Sequence, residues 1–175
     1  GDGVKSDNTE DTTKGYIIIE GGSLNITSGG DGIQAETTLT ISDGDINIVS
    51  GGGSSNAATH AESFPMGPWA NPSNTSSSSS SETGSAKALK AGTALTVDGG
   101  NINIADDSIH TNDTVMINTG IFHIKSGDDG IHADNVLEIN GGDINITDSY
   151  EGLEAAHITV KDGNINLVAS DDGIN

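Results

Sequence analysis

The chain has 175 residues, with 26 Asp and Glu against six Lys and no Arg, giving a net charge of −20. With no basic surface to neutralise phosphates it is not a nucleic-acid binder, and without Cys it can form neither disulfides nor thiolate metal sites. No apolar run is long enough to insert into a membrane, and the aromatic content of 3% with 25 glycines argues against an ordinary globular core and for thin aliphatic layers joined by frequent turns.

A unit of 20 to 22 residues repeats along the chain, and self-similarity at such a period is the signature of a solenoid. The first coil opens at Asp2 and carries roughly seven extra residues around Thr9 to Lys14. The second reads Asp31-Gly32-Ile33-Gln34-Ala35, then Leu39-Thr40-Ile41, then Gly44-Asp45-Ile46-Asn47-Ile48. Residues 51–84 interrupt the rhythm with a Gly/Ser-rich insertion that contains Phe64, Met66 and Trp69. The repeat resumes at Lys87-Ala88-Leu89 and continues at Asp107-Ser108-Ile109, Asp129-Gly130-Ile131 and Glu151-Gly152-Leu153. It begins again at Asp172-Gly173-Ile174, so the chain reads as a piece of a longer precursor.

Each unit holds three short segments that alternate apolar and polar, as strands with one buried face do. Such strands bury that face only by stacking coil on coil, with backbones paired in parallel at about 4.8 Å. The expected fold is therefore all-β: a single right-handed parallel β-helix domain over residues 1–175, about six coils deep. The inward columns are Ile33, Leu89, Ile109, Ile131, Leu153 and Ile46, Ile102, Phe122, Ile144, Ile165.

Stacking also places Asp31, Lys87, Asp107, Asp129, Glu151 and Asp172 in one column, with Asp106, Asp128 and Asp171 just before it and Asp134 and Glu154 just after. Carboxylates about 4.8 Å apart repel each other unless a cation lies between them. Calcium suits the pattern because it accepts six to eight oxygen ligands in a forgiving geometry. One or more calcium ions are expected among Asp106, Asp107, Asp128, Asp129, Asp134, Glu151, Glu154, Asp171 and Asp172. The plainer alternative is a solvated acidic edge in which Asp-Gly serves only as a turn. His110 and His132 stack in adjacent coils, but no third zinc ligand is evident from their spacing.

A second outward column holds Asn25, Asn47, Asn103, His123, Asn145 and Asn166. It is either an amide ladder that stabilises the rungs or a flat hydrogen-bonding face for a glycan, with Asn103 and Asn145 at its centre. Trp69, the sole tryptophan, has two readings as well: a cover folded over the solenoid, or a platform for a sugar ring.

The strings Ser-Gly-Asp-Asp-Gly-Ile-His-Ala-Asp at 126–134, Ser-Tyr-Glu-Gly-Leu-Glu at 149–154 and Ala-Ser-Asp-Asp-Gly-Ile-Asn at 169–175 resemble a bacterial cell-surface family of carbohydrate-binding parallel β-helix proteins. The resemblance covers nearly the whole chain and departs near Ala156, where the family more often has glycine. It implies bound calcium, a fold shared with pectate lyases, binding of cellulose and of acidic sugars such as polygalacturonate, and thus an extracellular or cell-surface setting with plant cell-wall polysaccharide as partner. Oligomerisation is not required.

The expected function is non-catalytic, calcium-dependent polysaccharide binding. A pectate-type lyase is the first alternative, and it needs a base beside the metal, for which Lys87 and Lys90 are the only candidates. Their simplest role is to pair with neighbouring carboxylates. A structural or adhesive repeat without a glycan ligand is the second alternative.

Overall fold

A computed structural model describes residues 1–51, 86–106 and 108–175, with the side chain of residue 106 also outside the description. The insertion and Trp69 fall almost wholly outside the described residues, as do Asp107 and the side chain of Asp106.

The described chain is built of parallel strands in stacked coils. The first four coils each supply three strands: β1 (Val4–Ser6), β2 (Ile17–Ile19) and β3 (Ser23–Thr27); β4 (Ile33–Ala35), β5 (Thr38–Ile41) and β6 (Asp45–Val49); β7 (Leu89–Ala91), β8 (Ala94–Val97) and β9 (Asn101–Asp106); β10 (Ile109–Thr111), β11 (Thr114–Ile117) and β12 (Ile121–Ser126). The last two supply β13 (Ile131–Ile139) with β14 (Asp143–Asp148), and β15 (Leu153–Val160) with β16 (Asn164–Leu167). Three strands per coil therefore hold only in the first four coils; in the fifth and sixth the first two strands run on as one. Asp134 and Asn135 stay extended where earlier coils bend. The β13–β15 ladder shifts between Ala133 and Val136, because only Ala156 lies between the partners Ala155 and His157.

One sheet runs β16-β14-β12-β9-β6-β3, and a ten-stranded sheet carries the other two faces, joined through β13. The insertion does not disturb this order: Ile33 pairs with Leu89 and Ile46 with Ile102 across it. Ile174 forms a parallel bridge to Leu153, the beginning of a further rung.

Period-2 alternation translates directly into burial. Ile33, Leu89, Ile109, Ile131 and Leu153 are fully buried in one inward column, and Ile46, Ile102, Phe122 and Ile144 in another. Ile165, in the last rung, is only partly buried. The turn into the third face depends on backbone conformation rather than on side chains. Gly44 and Gly142 lead β6 and β14 with φ of 126° and 103°, a region that L-residues with a Cβ rarely enter.

Candidate functional site

The outward position of the first face reads Lys5, Gln34, Lys90, His110, His132 and Glu154 through successive registers. The two imidazoles are thus forced into adjacent rungs, and their ring centroids lie 4.8 Å apart, edge to face. Asp134 stands two residues after His132, on the same outer side of an extended strand. Its Oδ1 is 3.4 Å from His110 Nε2 and 3.4 Å from His132 Nε2. The other nitrogen of His132, Nδ1, is 3.3 Å from Glu154 Oε2 and 3.6 Å from Asp129 Oδ2. The histidine pair therefore has the third ligand candidate that spacing alone did not reveal. The signal was His-x-Asp on an alternating strand.

Charge follows position. Burial, then the charges of His132 and Lys87, hold the pKa of His110 below the usual histidine value. His132 is raised, chiefly by its contact with Asp129. Burial pushes Asp129 up, but its contacts with His132 and Glu154 and the charges of His132 and Lys87 together outweigh it and leave the carboxyl below its ordinary value. Glu154 is raised, first by burial and then by the neighbouring Asp129 and Glu151.

The acidic turn is divided by the fold. Backbone bonds from Gly130 N to Glu151 O and from Gly152 N to Asp172 O stack Asp129, Glu151 and Asp172 in consecutive turns, as the repeat predicts. Asp128 is engaged by Lys87, whose Nζ is 2.5 Å from its Oδ2. Glu151 is 9% exposed; one carboxylate oxygen accepts a hydrogen bond from Asn175 Nδ2 at 3.0 Å, while the other, Oε2, is buried without a hydrogen-bond partner. Asp129 and Glu154 meet at His132, and Asp134 lies on the far side of that ring. Asp171 and Asp172 remain exposed and belong to neither histidine cluster.

The third face carries the amide column in the expected register, Asn25 beside Asn47, then Asn103, His123, Asn145 and Asn166. Asn47 Nδ2 donates to Asn25 Oδ1 and Asn103 Nδ2 to Asn47 Oδ1, each at 3.1 Å, and Asn166 Nδ2 donates to Asn145 Oδ1 at 2.8 Å. The ladder is real, and His123 interrupts it. Beside it runs an open groove of about 350 Å³, lined by Asn47, Asn103, His123 and Asn145 on one side and by Val49, Ala105, Lys125 and Thr147 on the other.

Lys125 has a distinctive position in that groove. Lys5, Lys14, Lys87, Lys90 and Lys161 each lie within ion-pair distance of a carboxylate. Among the described residues Lys125 has no carboxylate within ion-pair distance, although Asp148 is its register partner on β14, and it lines the groove across from the amides. The sequence contains the clue: Lys125 stands two residues after His123, so both side chains emerge on one face.

These features define a parallel β-solenoid with an open groove bordered by amides on one face and a histidine–carboxylate cluster on another. A family model described as a carbohydrate-binding domain-containing protein matches residues 1–130, and the chain belongs to that family. No curated protein and no solved structure matches it.

Proposed function

We propose that the chain binds an acidic polysaccharide, such as a polygalacturonate, non-catalytically along the groove between Asn103 and Lys125. The observation that carries this reading is the placement of Lys125, which among the described residues has no carboxylate within ion-pair distance, beside amides that present hydrogen-bonding groups at rung spacing. A linear polymer lying along the stack would meet a polar side chain every 4.8 Å or so, an amide at each rung except that of His123, and its carboxylates would find the ammonium of Lys125. The remaining surface of a chain at −20 repels such a polymer, which confines contact to this strip.

Calcium in the acidic turn would reduce that repulsion. Asp129, Glu151 and Asp172, from consecutive turns, would hold it with Asp128 and Asp171 alongside, and the orphaned Oε2 of Glu151 is the observation that fits a cation there. The ion would supply shared coordination for stacked carboxylates and an attachment point for sugar carboxylates. Cellulose, being neutral, would use the amides alone. The setting that goes with these ligands is extracellular, at the cell surface against plant cell-wall material.

Retention on polygalacturonate beads tests the reading, in calcium and then in chelator, with unsaturated sugars assayed in the same tube. Retention that falls in Lys125→Ala supports the groove, and its loss in chelator supports calcium dependence. Unsaturated product would overturn the binder in favour of a lyase. No retention in either buffer would overturn the acidic-glycan assignment.

A further inference from the structure

His110 and His132 are paired in register on β10 and β13, so their separation is fixed by the ladder rather than by mobile side chains. Both Nε2 atoms lie 3.4 Å from the same Oδ1 of Asp134, and the three atoms all lie within 4.8 Å of one another. Two ligand atoms held about 2.0–2.1 Å from a tetrahedral ion are separated by about 3.4 Å, so both of these edges have the length such an ion needs.

What stands behind His132 completes the arrangement. Its Nδ1 faces Glu154 Oε2 at 3.3 Å and Asp129 Oδ2 at 3.6 Å. A proton on Nδ1 is attracted to those carboxylates, and it leaves the lone pair of Nε2 directed towards Asp134 and His110. A ligating imidazole held from behind by a carboxylate is the usual support of a metal-bound histidine. The side chain of Asp134 is 50% exposed, so the remaining coordination positions open to solvent.

We propose that His110, His132 and Asp134 form a binding site for a divalent transition cation of the zinc type, with Glu154 and Asp129 orienting His132. Two imidazoles and one carboxylate favour such an ion over calcium, which prefers oxygen throughout. The site lies on a different face from the groove, and it does not depend on the glycan reading.

The test is calorimetric titration of the chelator-treated full chain with zinc chloride, alone and with calcium in hundredfold excess. One zinc per chain, bound despite the calcium, is the expected result. His110→Gln and His132→Gln should weaken binding by more than about 100-fold, and Glu154→Gln, which keeps all three ligands, by about 10- to 100-fold. His157→Gln, on an exposed position of β15, should bind as the parent does. Asp134→Asn, at a half-exposed position, removes a ligand with little risk to the fold, and thermal melts of each apo variant identify any that fail to fold. Binding that persists in the double variant His110→Gln/His132→Gln, displacement by equimolar calcium, or the absence of a zinc isotherm would each overturn the site.

Discussion

The ammonium of Lys87 lies 2.5 Å from Oδ2 of Asp128, although Lys87 opens the third coil and Asp128 immediately precedes the fifth. The contact spans the intervening rung, and the two side chains are only 12% and 20% exposed. Lys90, on the same coil, lies 3.5 Å from Asp31 Oδ2. Both lysines that the sequence offers as the base of a lyase are therefore tied to carboxylates across the stack.

Lys87→Met keeps the length of the side chain and leaves Asp128 without this cation. The loss should cost about 1–3 kcal/mol, and each kcal/mol should lower Tm by about 2–4 °C for a chain of this size. Thermal unfolding with retention on polygalacturonate measured in parallel checks this. A fall in Tm with retention unchanged is the outcome for a structural pair; production of unsaturated sugar by the parent, abolished in the variant, would make Lys87 catalytic.

Phe122 gives a second test, since it is fully buried in a column otherwise filled by Ile102 and Ile144. Phe122→Ala should destabilise by about 3–5 kcal/mol through lost transfer energy and the cavity left behind. Phe122→Leu, closer in volume, should cost distinctly less. Denaturant midpoints at constant m-value would separate the two; equal losses would mean that the rung does not pack tightly around the ring.

Much of this fold was legible because one period governs it. Leu89, Ile109 and Ile131 were assignable to one inward column without any structure, since each sits two residues after the leading position of its repeat. The fusion of two strands in β13 was not legible, because Asp134-Asn135 has the same turn-prone composition as Asn112-Asp113, which bends. The site was legible in its columns but not in its contacts. Register placed His110 beside His132 and stacked the turn carboxylates, whereas the partners of Asp134 and Asp128 depend on side-chain direction and on a reach across rungs. Lys125 went unnoticed because its importance comes from the five other lysines being paired, a property of the whole surface.

Lys125→Ala should weaken acidic-polysaccharide binding by about fivefold, the equivalent of roughly 1 kcal/mol for a surface charge contact made without steep desolvation. It should leave binding to neutral cellulose unchanged, and its effect should shrink as salt is raised from low to physiological concentration. Affinity electrophoresis in gels containing either polymer measures both. Equal weakening on the two polymers would assign Lys125 a packing role through its aliphatic stem instead of a charge role.

The histidine cluster predicts a pH dependence of the metal-free protein. The groups facing His132 are Asp129 and Glu154 on one side and Asp134 and His110 on the other, with Lys87 contributing its charge through His110 and Asp129. Because the folded-state pKa of His132 is raised, its charged form stabilises the fold fully below the unfolded histidine value of about 6.5, and that contribution is lost as pH rises through the higher folded value. The raised pKa of Glu154 acts in the same direction, since its charged form is disfavoured on folding. His110 opposes both: its lowered pKa makes protonation costly, so its penalty grows as pH falls through the unfolded value. His132→Gln in chelator should therefore lose stability relative to the parent at mildly acidic pH and little above pH 8, while His110→Gln should gain at the acidic end. Thermal melts across that range, with imidazole proton shifts followed by NMR, would resolve the two. A His132 resonance that titrates below that of His110 would reverse the assignment and remove the carboxylate pair as the support of His132.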